Sequence, residues 1–278
     1  MSALDRIADW PVPTVAAAVV ANADPVPVVL DSRGDLGHRF RLASVTKPLA
    51  ARAVQVAVEE GALDWDSPAG PPGSTLRHVL AHASGLSLLD DQVLAEPGTR
   101  RIYSNTAFRV AAEAVTAATG IAFEDYLAEA IFAPLGMTDS VLVGGAAAAG
   151  YGGESTVADL SRFAADLLVP TTVSPQTHTE AITVQFPGLA GVLPGFGVQR
   201  PNDWGLGFEL RDGKSPHWTG TNNSPATFGH FGQSGTFLWV DPTVGLALVV
   251  LTDRNFDDWA RPRWPELSDA VLREFGSR

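Results

Sequence analysis

Two lysines stand against 17 arginines in this 278-residue chain, and one of them, Lys47, follows Ser44 by three positions in Ala-Ser-Val-Thr-Lys-Pro. If a helix begins near Ser44, side chains at i and i+3 share a face. The amine then stands where it can take the hydroxyl proton, the arrangement of a nucleophile beside its base. In a chain that otherwise carries its positive charge on arginine, so isolated a lysine reads as chemistry before surface charge.

Two further clusters could complete such a site. Tyr103-Ser104-Asn105 lies at the mouth of a predicted helix and offers a phenol and a carboxamide. His230-Phe231-Gly232 opens a predicted strand pair near the end of the chain. Each motif is weak alone: by chance in such a composition a Ser-x-x-Lys pair arises roughly one time in eight, a Tyr-x-Asn roughly 6% of the time and a His-x-Gly roughly 60%. Their order discriminates better: helix start, inter-helix loop, strand edge.

The elements that must position them follow from pattern. Residues 14 to 20 and 26 to 31 are Val-rich runs parted by Asn-Ala-Asp-Pro, a strand, turn and strand. A helix is predicted from near Ser44 to Glu60, with Pro48 confined to its first turn and Gly61 as its stop. Residues 61 to 75, rich in Gly and Pro, form a crossing. Helices are predicted at 75–82, 105–119, 123–132 and 156–168, the last opened by a Thr156/Asp159 capping box. Strands are predicted near 206–211, 227–231, 235–240 and 245–252, and a closing helix at 265–275. The long loops 186–205 and 212–226 are of a length that tends to carry function. The expected fold class is α+β: a mostly antiparallel sheet flanked by N- and C-terminal helices, with an inserted all-helical lobe. Residues 1–66 and 200–278 would form the sheet lobe and 67–199 the helical lobe, with the site at their interface.

Composition sets bounds. With 45% hydrophobic and 18% charged residues the chain is of ordinary globular type. A net charge of −12 opposes binding to nucleic acid or to anionic membranes. The absence of Cys excludes disulfides, thiolate metal sites and cysteine nucleophiles. No run approaches the roughly 18 apolar residues of a membrane span. The first ten residues mix acids with apolar side chains and lack the pattern of an export signal, so a cytoplasmic location is expected.

With these motifs, together with Leu76 to Leu86, Glu96 to Asn105, Trp204-Gly205-Leu206-Gly207-Phe208 and Gly229 to Asp253, the chain resembles the serine β-lactamase and penicillin-binding-protein superfamily. The branch is that of class C β-lactamases, D-alanyl-D-alanine carboxypeptidases and β-lactamase-like esterases. The resemblance implies Ser44 as acylated nucleophile, Lys47 as its proton acceptor, Tyr103 as second base and Asn105 as a hydrogen-bond partner of substrate or lysine. It implies an oxyanion hole from the backbone N–H groups of Ser44 and Gln233, substrate contacts from His230, Phe231 and Gly232, and no cofactor or metal. Lys47 and Tyr103 would share one labile proton and titrate as a unit.

The third motif departs from the β-lactamase pattern of Lys, then Thr or Ser, then Gly. His230 and Phe231 lack the fixed cation and the hydroxyl that hold a substrate carboxylate, which favours small neutral esters over penicillins. β-Lactamase or D-amino-acid peptidase activity stays open, as does a binding protein that keeps the pocket without catalysis. Trp218, in a polar loop, is the best aromatic candidate for lining that pocket. His78 and His82, at i and i+4, lack the Glu of a zinc-protease motif and read as a packing helix. Gly232-Gln233-Ser234-Gly235-Thr236 nearly matches a nucleophile elbow but precedes a strand, where that elbow needs a helix.

Overall fold

The computed structural model describes residues 2–276. Strands β1 (Val15–Ala21), β2 (Val28–Arg33) and the short β3 (Phe40–Arg41) lead into helix α1 (Thr46–Glu59). Helices α2 (Leu76–Leu80), α3 (Asn105–Thr119) and α4 (Phe123–Leu127) follow, the last running through a π turn at Ala128–Phe132 into α5 (Ala133–Leu135). Then come β4 (Val141–Leu142), β5 (Gly153–Ser155), α6 (Val157–Leu168) and α7 (Pro175–Ala181). A small hairpin, β6 (Gly191–Leu193) and β7 (Gly197–Gln199), precedes β8 (Glu209–Leu210), β9 (Phe228–Gly232), β10 (Thr236–Asp241), β11 (Leu246–Thr252) and α8 (Ala260–Phe275).

The main sheet has six strands in the order β2-β1-β11-β10-β9-β8, and every neighbouring pair is antiparallel. Both faces of its central strands are buried, so these strands read as continuous apolar runs and their period of two sorts side chains between two cores. Ala16, Ala18, Val20, Val249 and Leu251 face a core shared with α1, α3 and α6. Ala17, Val19, Trp239, Leu248 and Val250 face a second core under α8 and the N-terminal 3-10 turn Ala3–Asp9. Burial of each larger side chain contributes roughly 1.5–3 kcal/mol. The fold is thus α+β with an antiparallel sheet and helices on both faces.

The segment between β2 and β8 is mainly helical, but it also folds a three-stranded sheet, β3-β5-β4, and the β6–β7 hairpin. Strands of two or three residues carry too short an alternation to be seen in sequence. The closing helix begins at Ala260, five residues before the expected start at Pro265, which lies inside it. Packing holds the early turns: Trp264 is buried, its ring centroid 4.9 Å from that of Phe237 and 5.0 Å from that of Phe256. Helix α2 ends before His82, whose φ of 55° no helix tolerates. At α6 the Thr156 hydroxyl accepts the Asp159 N–H at 3.1 Å, but the Asp159 carboxylate turns to Ser140 and Arg162 in place of closing the box. No helix among the described residues is long and apolar enough to cross a membrane.

Candidate active site

Ser44 sits in a 3-10 turn, Ala43–Val45, immediately before α1. Ala43 has a φ of 46°, a left-handed conformation costing a residue with a Cβ on the order of 1 kcal/mol. The turn is tied down by Thr46, whose hydroxyl donates to Ala43 O at 2.6 Å and accepts the Gly153 N–H at 2.8 Å. Strain held in place beside a serine presents its hydroxyl at one fixed spot. Helix α1 is buried along most of its length, so Lys47 points into protein.

The Lys47 amine has three oxygen neighbours: Ser44 Oγ at 3.3 Å, Asn105 Oδ1 at 2.6 Å and the Gly150 carbonyl at 2.8 Å. Complete burial pushes its pKa well below the ordinary lysine value. A neutral amine fits this shell. It donates two protons to the carboxamide and the carbonyl, and keeps a lone pair for the serine hydroxyl. Tyr103 approaches from the loop before α3, its hydroxyl donating to Ser44 Oγ at 2.7 Å. Burial raises the phenol, against the smaller opposing pull of the Ser44 hydrogen bond. Both shifts favour neutral amine with protonated phenol, the proton arrangement that composition and spacing left undecided.

His230 stands on the far side of the tyrosine, Nε2 3.4 Å from the hydroxyl. Its Nδ1 lies 2.6 Å from the Phe231 carbonyl. A carbonyl only accepts, so the network assigns the proton to Nδ1 and leaves Nε2 with a lone pair. Burial is the chief cause that pushes the ring down to about 3, against the Phe231 carbonyl and Glu209. His82 stacks on Tyr103 with centroids 4.6 Å apart, and its Nδ1 accepts the Ser104 N–H at 3.1 Å. No cluster of metal-ligating side chains occurs among the described residues.

Gly232, at the end of β9, brings the sheet edge to the serine turn. A Cβ there would fall 2.2 Å from Leu42 O and 3.2 Å from Ser44 N, so only glycine permits the approach. The backbone N–H groups of Ser44 and of Gln233, the next residue, donate to no acceptor among the described residues. Two free amides flank the serine.

A pocket of about 260 Å³ opens over Ser44, lined by Tyr103, Asn105, Leu193, Trp204, Glu209, His230, Phe231 and Gln233, among others. Phe231 lines it with part of its surface and is otherwise buried. Strand alternation turns its ring toward the α8 core, 5.1 Å from Phe256 and 5.8 Å from Trp264. Trp218 does not line the pocket. It is 1% exposed, lies behind Phe231, and donates its indole N–H to Glu209 Oε2 at 2.8 Å. A polar loop placed it among solvent-facing residues in the sequence; the buried carboxylate draws it inside.

Glu209, Gly150 and His82 are site residues that the sequence reading missed. Glu209 is buried against Lys214 and holds His217 Nε2 at 2.9 Å. Burial alone would raise its carboxyl, but the His217 and Lys214 charges and hydrogen bonds bring it down to about 2. The scarcity that singles out Lys47 also singles out Lys214, with Glu209 five positions before it and His217 three after.

An antiparallel sheet edge meeting the head of a buried helix, with a Ser-x-x-Lys pair at the junction, is the frame of serine hydrolases built like β-lactamases and penicillin-binding proteins. The chain belongs to the Beta-lactamase family, whose model matches residues 7–272. It is 63% identical to a β-lactamase from Mycobacterium bovis of known crystal structure, over 99% of this chain and 100% of that one, with a TM-score of 0.97. A variant of simvastatin synthase from Aspergillus terreus shares the fold at 19% identity, covering 99% and 97% of the two chains with a TM-score of 0.78. Penicillin-binding protein 4* of Bacillus subtilis is 28% identical across 36% of this chain, and the match spans 30% of that protein's length.

Proposed function

We propose that the chain is a carboxylesterase that acylates Ser44 and prefers esters that are small and neutral around the reacting carbonyl. The charge of the pocket carries this reading. No Lys or Arg stands in its lining, His230 is neutral, and a carboxylate, Glu209, forms part of the wall. A substrate carboxylate beside the reacting carbonyl would find no cation free to hold it, since Lys214, behind the wall, is already taken by Glu209.

The chemistry uses the groups in place. Lys47 takes the Ser44 proton as Oγ attacks the ester carbonyl. The free amides of Ser44 and Gln233 receive the oxyanion, where one such donor is worth roughly 3–4 kcal/mol. Tyr103 gives its proton to the departing alkoxide and is reprotonated from Lys47; water then cleaves the acyl-enzyme by the reverse transfers. Asn105 and the Gly150 carbonyl hold the amine in register through both halves.

A fluorophosphonate probe tests the nucleophile: labelling of wild type and none of Ser44→Ala is expected. Failure of the folded wild type to label would favour a binding protein, and labelling of Ser44→Ala would implicate another serine. Selectivity is tested by turnover of nitrophenyl acetate against a chromogenic cephalosporin, with the ester expected to be faster. A β-lactamase reading draws support from the description of the Mycobacterium bovis relative, and the reverse ranking would establish it.

A further inference from the structure

The pocket over Ser44 opens into a second space. A groove of about 550 Å³ runs between the 88–94 loop and the β6–β7 hairpin, and it shares Leu88, Tyr103 and Pro194 with the pocket. Its floor is fixed. The Arg101 N–H donates to Ala190 O at 3.1 Å, and a Cβ on Gly191 would fall 2.2 Å from Arg101 O, so the hairpin lies directly against the backbone at Arg101, to which Gly191 is bridged in parallel. The Arg101 guanidinium, buried beneath, binds the carbonyls of Ala81 at 2.5 Å and Asn202 at 3.0 Å.

The walls are apolar but open to water. Leu88, Leu94, Val192 and Val198 are 44%, 48%, 54% and 58% exposed. A cluster of such side chains on two facing loops beside a reactive serine marks a surface that a ligand covers. Arg100 and Arg200 stand at the rim, exposed, and neither forms an ion pair or hydrogen bond among the described residues. In a chain of net charge −12, two unpaired arginines at one groove make a local positive site.

We infer that the groove holds the alcohol side of the substrate: an extended apolar chain that ends in an acidic group. This rests on the esterase reading above. Tyr103 lines both spaces and is the proton donor to the departing oxygen, so the chain attached to that oxygen passes over the tyrosine and into the groove. In the acylation step the Ser44 Oγ–carbonyl bond forms and the carbonyl–alkoxy bond breaks. The Tyr103 proton goes to the alkoxide, and the free alcohol leaves along the groove. The ester is neutral near its carbonyl and anionic at its far end, which reconciles a cation-free pocket with an arginine rim.

The test compares acetate esters of butanol, octanol and 8-hydroxyoctanoate. Relative to butyl acetate, kcat/KM is expected to rise roughly tenfold for the octyl ester, since four methylenes are partly removed from water. The ω-carboxylate should add roughly a further threefold gain that fades at high salt. Arg100→Glu/Arg200→Glu should reverse the carboxylate preference and leave butyl acetate turnover unchanged. Val198→Asp should abolish the chain-length gain. A rate independent of alcohol length, a dependence seen only when the acyl chain is lengthened, or a carboxylate preference that survives the arginine change would overturn the assignment. Ser44 labelling and turnover of nitrophenyl acetate are read in parallel, so loss of the esterase reading itself appears as a separate result.

Discussion

The Tyr103 hydroxyl donates to Ser44 Oγ across 2.7 Å, although the two residues lie 59 positions apart in the chain. The serine thus receives one proton from the phenol and faces the Lys47 lone pair with its own. Tyr103→Phe keeps the ring and its stacking on His82 and removes only the hydroxyl. Its kcat is expected to fall roughly 10²- to 10⁴-fold, with unchanged circular dichroism. A wild-type rate in that variant would remove the tyrosine from the mechanism.

Lys47 acts as a base only after losing its proton, and burial has already lowered its pKa. Activity should therefore rise with pH as the amine deprotonates, with the inflection well below the usual lysine value of ~10.4. A kcat/KM profile on a neutral ester reads this in the free enzyme. A rise that begins only near the usual lysine value would mean that the amine is charged at neutral pH.

Gly232 has a consequence for rate more than for binding. Any side chain at this position meets Leu42 O at 2.2 Å and forces β9 away from the serine turn. Gly232→Ala should spread the two free amides and reduce kcat roughly 10²- to 10³-fold with KM little changed, the signature of a lost transition-state contact. Equal losses in kcat and thermal stability would point to general disruption of the sheet.

The parts of the site carried by side chains on long elements were legible in the sequence. Ser44 and Lys47 fall at a helix start because Pro48 allows only a first turn there, and the apolar runs of β1 and β11 mark two adjacent inner strands of the sheet. Groups set by tertiary contact were not. The Gly150 oxygen that accepts from Lys47 belongs to the backbone of a small-residue stretch, where no side chain signals it. Trp218 read as a pocket wall because its neighbours are polar, yet those polar neighbours are themselves buried: His217 and Lys214 close on Glu209, and the indole joins them. Phe231 lines the pocket, and the period of the strand at the same time packs its ring against Phe256 and Trp264, a second role that its motif does not signal.

His178 makes the fold sensitive to acid. Its Nδ1 lies 3.0 Å from Arg52 Nη2, and a guanidinium only donates, so the ring must be neutral on that side. Burial first, then the Arg52 charge, push it down to about 4 from 6.5, with Asp166 opposing. The unfolded chain binds this proton more readily. The penalty is therefore absent above pH 6.5, grows as pH falls, and is complete near pH 4, amounting to roughly 3 kcal/mol. His230 acts in the same direction from pH 6.5 down to about 3. Glu209 extends it downward: its stabilisation is full above 4.5 and is lost as pH falls toward about 2. Thermal unfolding should show Tm falling steadily on acidification from neutral pH. His178→Gln can still accept from Arg52 through its amide oxygen and cannot be protonated, so it should lose less stability across that interval than wild type. Parallel Tm-against-pH curves for the two proteins would place the acid-sensitive group elsewhere.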